Sequence, residues 1–144
     1  MRRRPARRES LRTGVARYRR LSVSLNADVP YEYAATADGL LFAAGACPLD
    51  TEGRVVEGGI EVQAGQALDN LFAVLAGEGL TPESIVKTTV FVATADQAEL
   101  VAAWRVVEER LAPARPPSTL LGVTVLGYPG QLFEIEAVAA KQRS

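Results

Sequence analysis

The sequence predicts a single α+β domain, in which a mixed β-sheet carries two helices on one face. Apolar residues recur with a period of two in several short segments and with helical spacing in two longer ones. The predicted order is three strands, helix, strand, helix and two strands, which requires crossover connections. A chain of 144 residues is long enough for one domain with a substantial core.

The first part of the domain contains three predicted strands, at 21–25, 31–35 and 40–44, where apolar and polar residues alternate. Asp38-Gly39 predicts a tight turn between the second and third strands. The chain then leaves the sheet through Gly45-Ala-Cys-Pro48 and a turn-rich connection.

Residues 59–79 predict the first helix, because apolar side chains from Ile60 to Leu75 recur every three or four positions. Gly79 is expected to end this helix in the left-handed conformation that glycine adopts without steric cost. The run IVKTTVFV at 85–92 predicts the next strand.

The second helix is predicted from about 96 to 111. Asp96 is expected to cap its N-terminus, with Glu99 as the capping-box partner. A proline-rich connector ends at Pro117, so the next strand is predicted at 118–126. Residues 127–130 predict a hairpin-like turn before the last strand at 132–140.

Charge divides the chain into two predicted parts. Residues 1–20 contain nine arginines and one glutamate, whereas the remaining 124 residues contain seven basic and sixteen acidic residues, a net charge of −9. We expect 1–20 to be a disordered arginine-rich arm and 21–144 to be the folded domain. The arm could bind phosphate groups, but the acidic domain makes nucleic acid an unfavourable partner.

The amino-acid composition excludes several kinds of site. The chain has no histidine and one cysteine, Cys47, which excludes a Ser-His-Asp triad, a Cys-His pair, a histidine zinc site and an intrachain disulfide. No cofactor or metal site is predicted. Apolar stretches are too short for a membrane span or a secretory signal, so we expect a cytoplasmic protein without a membrane partner.

Glu134 and Glu136 are the most unusual polar residues, because they interrupt the apolar strand LFEIEAVAA. Their spacing places both carboxylates on one sheet face, about 6.5–7 Å apart. Two interpretations remain open. Either the carboxylates pair with Lys87 or Arg105 at an interface, or one of them is a general base that positions a water molecule.

Three further candidates precede the first helix. Tyr31 is either a packed rim aromatic or a hydroxyl that orients a polar ligand. Gly45 is either a bulge or a point where the backbone approaches a ligand closely. Cys47 is either a small buried apolar residue or a reactive thiol, with Arg115 as the one proposed neighbouring cation.

Both faces of the predicted sheet carry apolar side chains, whereas the two helices can cover one face. The alternation of Val90 and Val92 with Phe91 is an example. Self-association would bury the second face, so we expect a homo-oligomer with sites at the subunit boundaries.

Three segments resemble the RidA/YjgF family of enamine and imine deaminases, also described as L-PSP endoribonucleases. They are YEYAATADGLLFAAGACPLD, the stretch from GQALDNLF through KTTVFV to AELVAAW, and the final LFEIEAVAA. The resemblance covers about residues 21–141. It implies a chorismate-mutase-like fold, a homotrimer with a barrel-like core, and small-molecule sites between subunits.

The resemblance also implies roles for individual residues. Glu134 would hold the attacking water, Tyr31 would orient the substrate, and the Gly45 backbone would contact it. Ser118 stands where the family has an arginine that clamps the substrate carboxylate, and Arg115 lies three residues upstream. Phe91 and Cys47 complete the predicted substrate-binding set.

Two functions from different classes therefore remain. The first is an enzyme that adds water to an imine or enamine and releases ammonia, with an atypical substrate because of Ser118. The second is a non-catalytic trimer that binds a small molecule for a regulatory or biosynthetic purpose. Action on RNA through the arginine-rich arm is a weaker third hypothesis.

Overall fold

The computed structural model describes residues 17–18 and 25–141. Of the predicted arm, Arg17–Tyr18 form a short strand, and the rest lies outside the described residues, as does most of the predicted strand 21–25. The elements are β1 (Arg17–Tyr18), β2 (Ala34–Ala37), β3 (Leu40–Ala43), α1 (Ile60–Gly77), β4 (Ile85–Ala93), α2 (Gln97–Leu111), β5 (Ser118–Val123) and β6 (Phe133–Ala140), with a 3₁₀ turn at Pro82–Ser84 before β4.

The described strands form one mixed sheet in the order β1-β2-β3-β6-β4-β5. Strand β6 is antiparallel to both β3 and β4, whereas β4 and β5 are parallel and joined through α2. The mixed sheet predicted from the sequence is confirmed. The hairpin predicted at 127–130 is wrong, because β6 lies between β3 and β4 and does not pair with β5.

The central position of β6 has a physical reason. The α2 crossover already places β5 on one edge of β4, so the other edge is free to pair with β6. There the alternate residues Phe133, Ile135 and Ala139 are fully buried, which a strand at the sheet edge would not achieve.

Both helices pack against the same face of the sheet, as predicted. The core between these layers consists of α1 residues, α2 residues and the inward side chains of β3, β4 and β6. Its fully buried members include Ala64, Leu68, Leu71 and Leu75 of α1, Ala103 and Val107 of α2, and Leu41, Val90, Val92 and Ile135 of the sheet.

The predicted helix ends are confirmed in part. Gly79 adopts φ +71° after α1, and the Leu80 N–H donates to the Leu75 carbonyl. The Asp96 side chain caps α2 by accepting from the Ala98 N–H at 2.8 Å. The predicted capping box is wrong, because Glu99 instead accepts from the hydroxyl of Thr94.

Strand β2 is shifted from the predicted 31–35 to Ala34–Ala37, and β5 is shorter than predicted. Strand β2 begins at Ala34 because the chain is still bent at Tyr31, and β5 ends at Val123 rather than at 126. The side chains that face away from the helices define what we call the open face. They include Phe42, Thr89, Phe91, Leu121, Glu134, Glu136 and Val138.

Candidate functional site

Glu134 is placed on the open face by the alternation of β6. Its neighbours Phe133 and Ile135 are fully buried against the helices, so the carboxylate projects to the opposite side. On one side Glu134 is in register with Phe91 of β4. On the other side, Ile135 exchanges backbone hydrogen bonds with Ala46. The segment after β3 therefore passes directly beside the carboxylate.

Two uncharged donors hold the Glu134 carboxylate. The Cys47 thiol donates to Oε1 at 3.0 Å, and the Gln131 amide Nε2 approaches the same oxygen at 3.3 Å. Oε2 faces Gly45, where a Cβ atom would lie 2.6 Å from both Oε2 and Cδ. Gly45 is thus needed for this close approach, since any larger residue would displace the carboxylate.

Gln131 connects the carboxylate to the turn that precedes β6. Its side chain is buried, its Oε1 accepts from the Tyr128 N–H at 3.1 Å, and its Nε2 also donates to the Phe133 carbonyl. Helix α1 fixes the same turn through the buried Gln63, which donates to the Gly130 carbonyl and accepts from the Leu132 N–H. The position of the carboxylate therefore depends on core contacts.

Three of the four tyrosines of the chain lie beside this segment. The hydroxyls of Tyr31 and Tyr128 are 3.1 Å apart, and the ring of Tyr31 meets that of Tyr33 edge-on with centroids 5.9 Å apart. Tyr31, Tyr33, Gly45 and Cys47 also line a cavity of about 20 Å³. Such a cavity has room for about one water molecule.

Asn70 of α1 fixes the backbone of the Cys47 segment. Its amide Nδ2 donates to the carbonyls of Cys47 and Leu49, both at 2.9 Å, and its Oδ1 accepts from Gln66. Asn70 therefore fixes the backbone at Cys47, while the hydrogen bond from the thiol fixes its side chain against Glu134.

The groups around Glu134 stay protonated at neutral pH. Burial raises the pKa of the Cys47 thiol to about 12, and the hydrogen bond to Glu134 and its charge act in the same direction. Burial also raises the pKa of Tyr31, assisted by the hydrogen bond to Tyr128, and burial raises the pKa of Tyr33. The site thus combines one carboxylate with neutral thiol, amide and phenol groups.

The structure brings together Tyr31, Gly45, Cys47, Phe91 and Glu134, all predicted from the sequence as site residues. The reactive-thiol interpretation of Cys47 is not favoured, because its raised pKa opposes thiolate formation.

Ser118 and Arg115 lie elsewhere in the protomer. Ser118 is opposite Thr88 of β4, three residues from Phe91, or roughly 10 Å along the strand. Its hydroxyl accepts from Thr88 and donates to the Pro116 carbonyl, on the helix side of the sheet. Arg115 lines a separate surface groove beside Glu83.

The predicted salt bridges of Glu134 and Glu136 do not form among the described residues. Lys87 instead donates to the Thr88 carbonyl and the Thr119 hydroxyl, because its side chain extends towards β5 rather than β6. Arg105 lies on α2, on the other side of the sheet.

Tyr128 and Gln131 are site residues that the sequence analysis missed. The sequence predicts 127–130 as a turn alone and leaves Gln131 between this turn and the last strand, so neither side chain is predicted at the site. The available signal was a glutamine three residues before a candidate catalytic glutamate. A second signal was that the turn at 127–130 directly precedes the last strand, so its side chains stay close to Glu134 near the beginning of that strand.

Neither helix in the part of the chain that the structure describes has the length and hydropathy of a membrane span. The same residues contain no group of three or more acidic or cysteine side chains arranged to hold a metal ion.

Comparison with known proteins places this chain in a family. Residues 21–141 match the family described as Endoribonuclease L-PSP. The chain belongs to this family. The L-PSP family, which is the RidA/YjgF family, includes a RutC family protein of Pyrococcus horikoshii that is 32% identical over 114 residues, covering 78% of this chain and 88% of that protein.

Another relative in the L-PSP family is the 2-iminobutanoate/2-iminopropanoate deaminase of mouse. It is 31% identical over 113 residues, which cover 78% of this chain and 82% of the mouse protein. The crystal structure of yeast Mmf1 superposes with a TM-score of 0.77 at 25% identity, and the match covers 86% of this chain and 98% of that one. The L-PSP fold predicted from the sequence is thus confirmed.

Proposed function

We propose that this protein hydrolyses imines or enamines, with Glu134 as the base that activates water. The observation that carries the proposal is the environment of Glu134: one oxygen accepts two neutral donors, and the other faces the Gly45 backbone. A carboxylate held in this way keeps a fixed orientation while it accepts a proton. The mouse relative, named as an imine deaminase, supports the reaction class.

The reaction follows from these positions. A water molecule next to Glu134 attacks the carbon of the C=N bond, the π electrons move to nitrogen, and Glu134 takes a proton from the water. Nitrogen then takes up this proton, which gives the carbinolamine R₂C(OH)NH₂. Glu134 next transfers the hydroxyl proton to nitrogen while the C–N bond breaks, so that the carbonyl compound and ammonia are formed. The Tyr31 hydroxyl, held by Tyr128, orients the substrate.

The active form in this proposal is a homotrimer with a barrel-like core and with sites between subunits. Apolar side chains on the open face support association, because Phe42 and Leu121 are 45% and 43% exposed in the single chain. Ser118 and Arg115 remain proposed substrate-binding residues. Since they lie apart from Glu134 within one protomer, a neighbouring copy would have to bring them to the site.

The test is a comparison of imine lifetimes with and without the protein. Imines are generated by an amino-acid oxidase or a flavin amine oxidase, and semicarbazide traps those that are not hydrolysed. The proposal predicts that the protein lowers the amount of trapped product with at least one imine. Unchanged trapping with every imine would reject hydrolysis.

The alternative, a non-catalytic binding trimer, predicts a different result in the same experiment. Trapping would be unchanged while a small molecule raised the melting temperature of the protein.

A further inference from the structure

Two side chains hold the Glu134 carboxylate by the same oxygen, and helix α1 fixes both of the segments that carry them. We infer that Cys47 and Gln131 are positioning residues, which hold Oε1 of Glu134 so that Oε2 takes the proton from water. This inference rests on the proposed function, because it concerns the same carboxylate.

Oε1 of Glu134 accepts two hydrogen bonds. The Cys47 thiol donates one, with 3.0 Å between Sγ and Oε1, and the Gln131 amide Nε2 donates the other at 3.3 Å. A carboxylate has about four lone-pair sites on its two oxygens, so these two donors use the acceptor capacity of Oε1. A water molecule that gives up a proton to Glu134 must therefore do so at Oε2 or displace one of the donors.

The two donors approach Oε1 from different segments of the chain. Cys47 lies after β3, and Gln131 lies in the turn before β6. Both residues are buried, with 8% and 4% of their surface exposed. Because the donors belong to separate segments, the carboxylate cannot rotate without breaking at least one of the two hydrogen bonds.

The Gln131 side chain cannot follow the carboxylate, since its other contacts fix it. Its Nε2 also donates to the Phe133 carbonyl, and its Oε1 accepts from the Tyr128 N–H. A movement of Gln131 with Glu134 would break these bonds in a buried environment, which is unfavourable.

Helix α1 fixes the backbone of both segments. Its Gln63 forms hydrogen bonds with the residues on either side of Gln131, and its Asn70 donates to the carbonyl of Cys47. Positions 63 and 70 are seven residues apart, so they lie on the same side of the helix. One helix thus sets the distance between the two donors.

Oε2 lies where the backbone leaves space beside the carboxylate. A Cβ atom at Gly45 would be 2.6 Å from Oε2, and glycine carries no such atom. In the proposed reaction, water that donates to Oε2 loses its proton to this oxygen as it attacks the C=N carbon. The proton then passes to the nitrogen of the substrate.

The thiol is suited to a positioning role because it stays protonated. Burial raises the pKa of Cys47 to about 12, and the hydrogen bond to Glu134 and its charge act in the same direction. A thiolate would repel the carboxylate and would itself add to an electrophilic C=N carbon. The protonated thiol therefore holds Glu134 without competing with water for the substrate.

The kinetic test compares Cys47→Ser, which keeps a hydrogen-bond donor, with Cys47→Ala, which removes it. Val74→Ala is the matched control, because Val74 is buried and lines the same cavity as Cys47. We expect Cys47→Ala to lower kcat for imine hydrolysis at least about tenfold and to change KM less than about twofold, since misplacement by about 1 Å can cost about 100-fold in rate. Cys47→Ser and Val74→Ala should stay within about threefold of wild type.

An unchanged kcat in Cys47→Ala would overturn the inference. An equal loss in Cys47→Ser and Cys47→Ala would overturn it as well, because the sulfur would then have a chemical role that a hydroxyl group cannot replace.

A second test uses the thiol itself and needs no turnover. The rate at which iodoacetamide labels Cys47 is measured from pH 8 to pH 10 in Glu134→Gln and in the control Glu136→Gln. Loss of the charge of Glu134 should lower the pKa of Cys47, so we expect labelling at least about tenfold faster in Glu134→Gln. Tyr31 and Tyr33 also interact with Cys47, but they stay neutral in this range because their pKa values are raised.

The two tests separate this inference from the proposed function. If wild type hydrolyses no imine, the proposed function fails, and faster labelling of Glu134→Gln would still show that Cys47 holds the carboxylate, then in a binding site. Equal labelling of Glu134→Gln and Glu136→Gln would overturn the inference whatever the result with imines.

Discussion

The thiol of Cys47 donates a hydrogen bond to Oε1 of Glu134, with 3.0 Å between Sγ and Oε1. The two residues are 87 positions apart in the sequence, and the Ala46–Ile135 bridge brings them together. Burial, together with this hydrogen bond and the charge of Glu134, raises the pKa of the one cysteine of the chain and keeps its thiol protonated beside a carboxylate. The reactivity of the thiol can therefore be used to measure whether Cys47 is in contact with Glu134 in solution.

Cys47 should react slowly with thiol reagents in the folded protein. With its pKa raised to about 12, about one thiol in 10,000 is ionised at pH 8. The rate of labelling by iodoacetamide should rise with pH well beyond pH 9, and denatured protein should react fully within minutes. Rapid stoichiometric labelling of the folded protein at pH 8 would contradict the buried, protonated thiol.

The same pKa shift predicts a loss of stability in alkaline solution. The folded state favours the neutral thiol, so its stabilising contribution is complete below pH 9 and is lost as the pH rises from 9 towards 12. Cys47→Ala should make the free energy of unfolding less dependent on pH in this window. An identical pH dependence in wild type and variant would exclude this contribution.

Gly45→Ala should inactivate the site by displacing the carboxylate. The added Cβ would lie 2.6 Å from Cδ of Glu134, so the carboxylate would have to move away from its two donors. Because the displaced atoms are the end of a flexible side chain, we expect a large loss of activity and a small loss of stability. The matched control is Gly127→Ala, because a Cβ at Gly127 meets no atom within 4 Å. Gly45→Ala should hydrolyse imines more slowly than Gly127→Ala, and urea unfolding shows whether both variants are still folded. Equal rates of hydrolysis in the two variants would show that Gly45 does not restrict the position of Glu134.

Gln131→Met should lower kcat more than it changes KM. The substitution keeps the volume of the side chain but leaves the Tyr128 N–H and Glu134 Oε1 without the Gln131 amide, which costs about 1–3 kcal/mol of stability. Gln97→Met, on an exposed residue of α2, is the control. If kcat stays at the wild-type value, Gln131 has a purely structural role.

The hydroxyl pair of Tyr31 and Tyr128 should behave as one unit. Tyr31→Phe and Tyr128→Phe should each reduce turnover, and the double variant should lose less than the product of the two effects, because either change breaks the 3.1 Å contact. Tyr33→Phe is the comparison, since its hydroxyl donates to the Asn26 carbonyl instead. Fully independent effects would mean that Tyr128 does not position Tyr31.

The sequence predicted the layers of the fold because periodicity reports which side of an element is buried. It identified both helices and the strands from Leu40 to Ala140 to within a few residues. It failed at the pairing of β6, since a period of two says nothing about which neighbour a strand chooses. A turn between β5 and β6 was therefore interpreted as a hairpin.

The candidate site was predictable in part. Glu134 stood out as a charge in an apolar strand, and Gly45 as a glycine at a strand end. Gln131 did not stand out, because its importance comes from burial and from bonds to Tyr128 and Glu134. Neither property is visible in a single sequence.

The central claim is that Glu134 activates the water, and it is tested most directly by comparing Glu134→Gln with Glu136→Gln in imine hydrolysis. Both substitutions remove one carboxylate from the open face of β6 and preserve side-chain shape. The account predicts that kcat for Glu134→Gln falls at least about 100-fold, as expected for loss of a general base, while Glu136→Gln stays within about twofold of wild type. Equal activity of the two variants would contradict it.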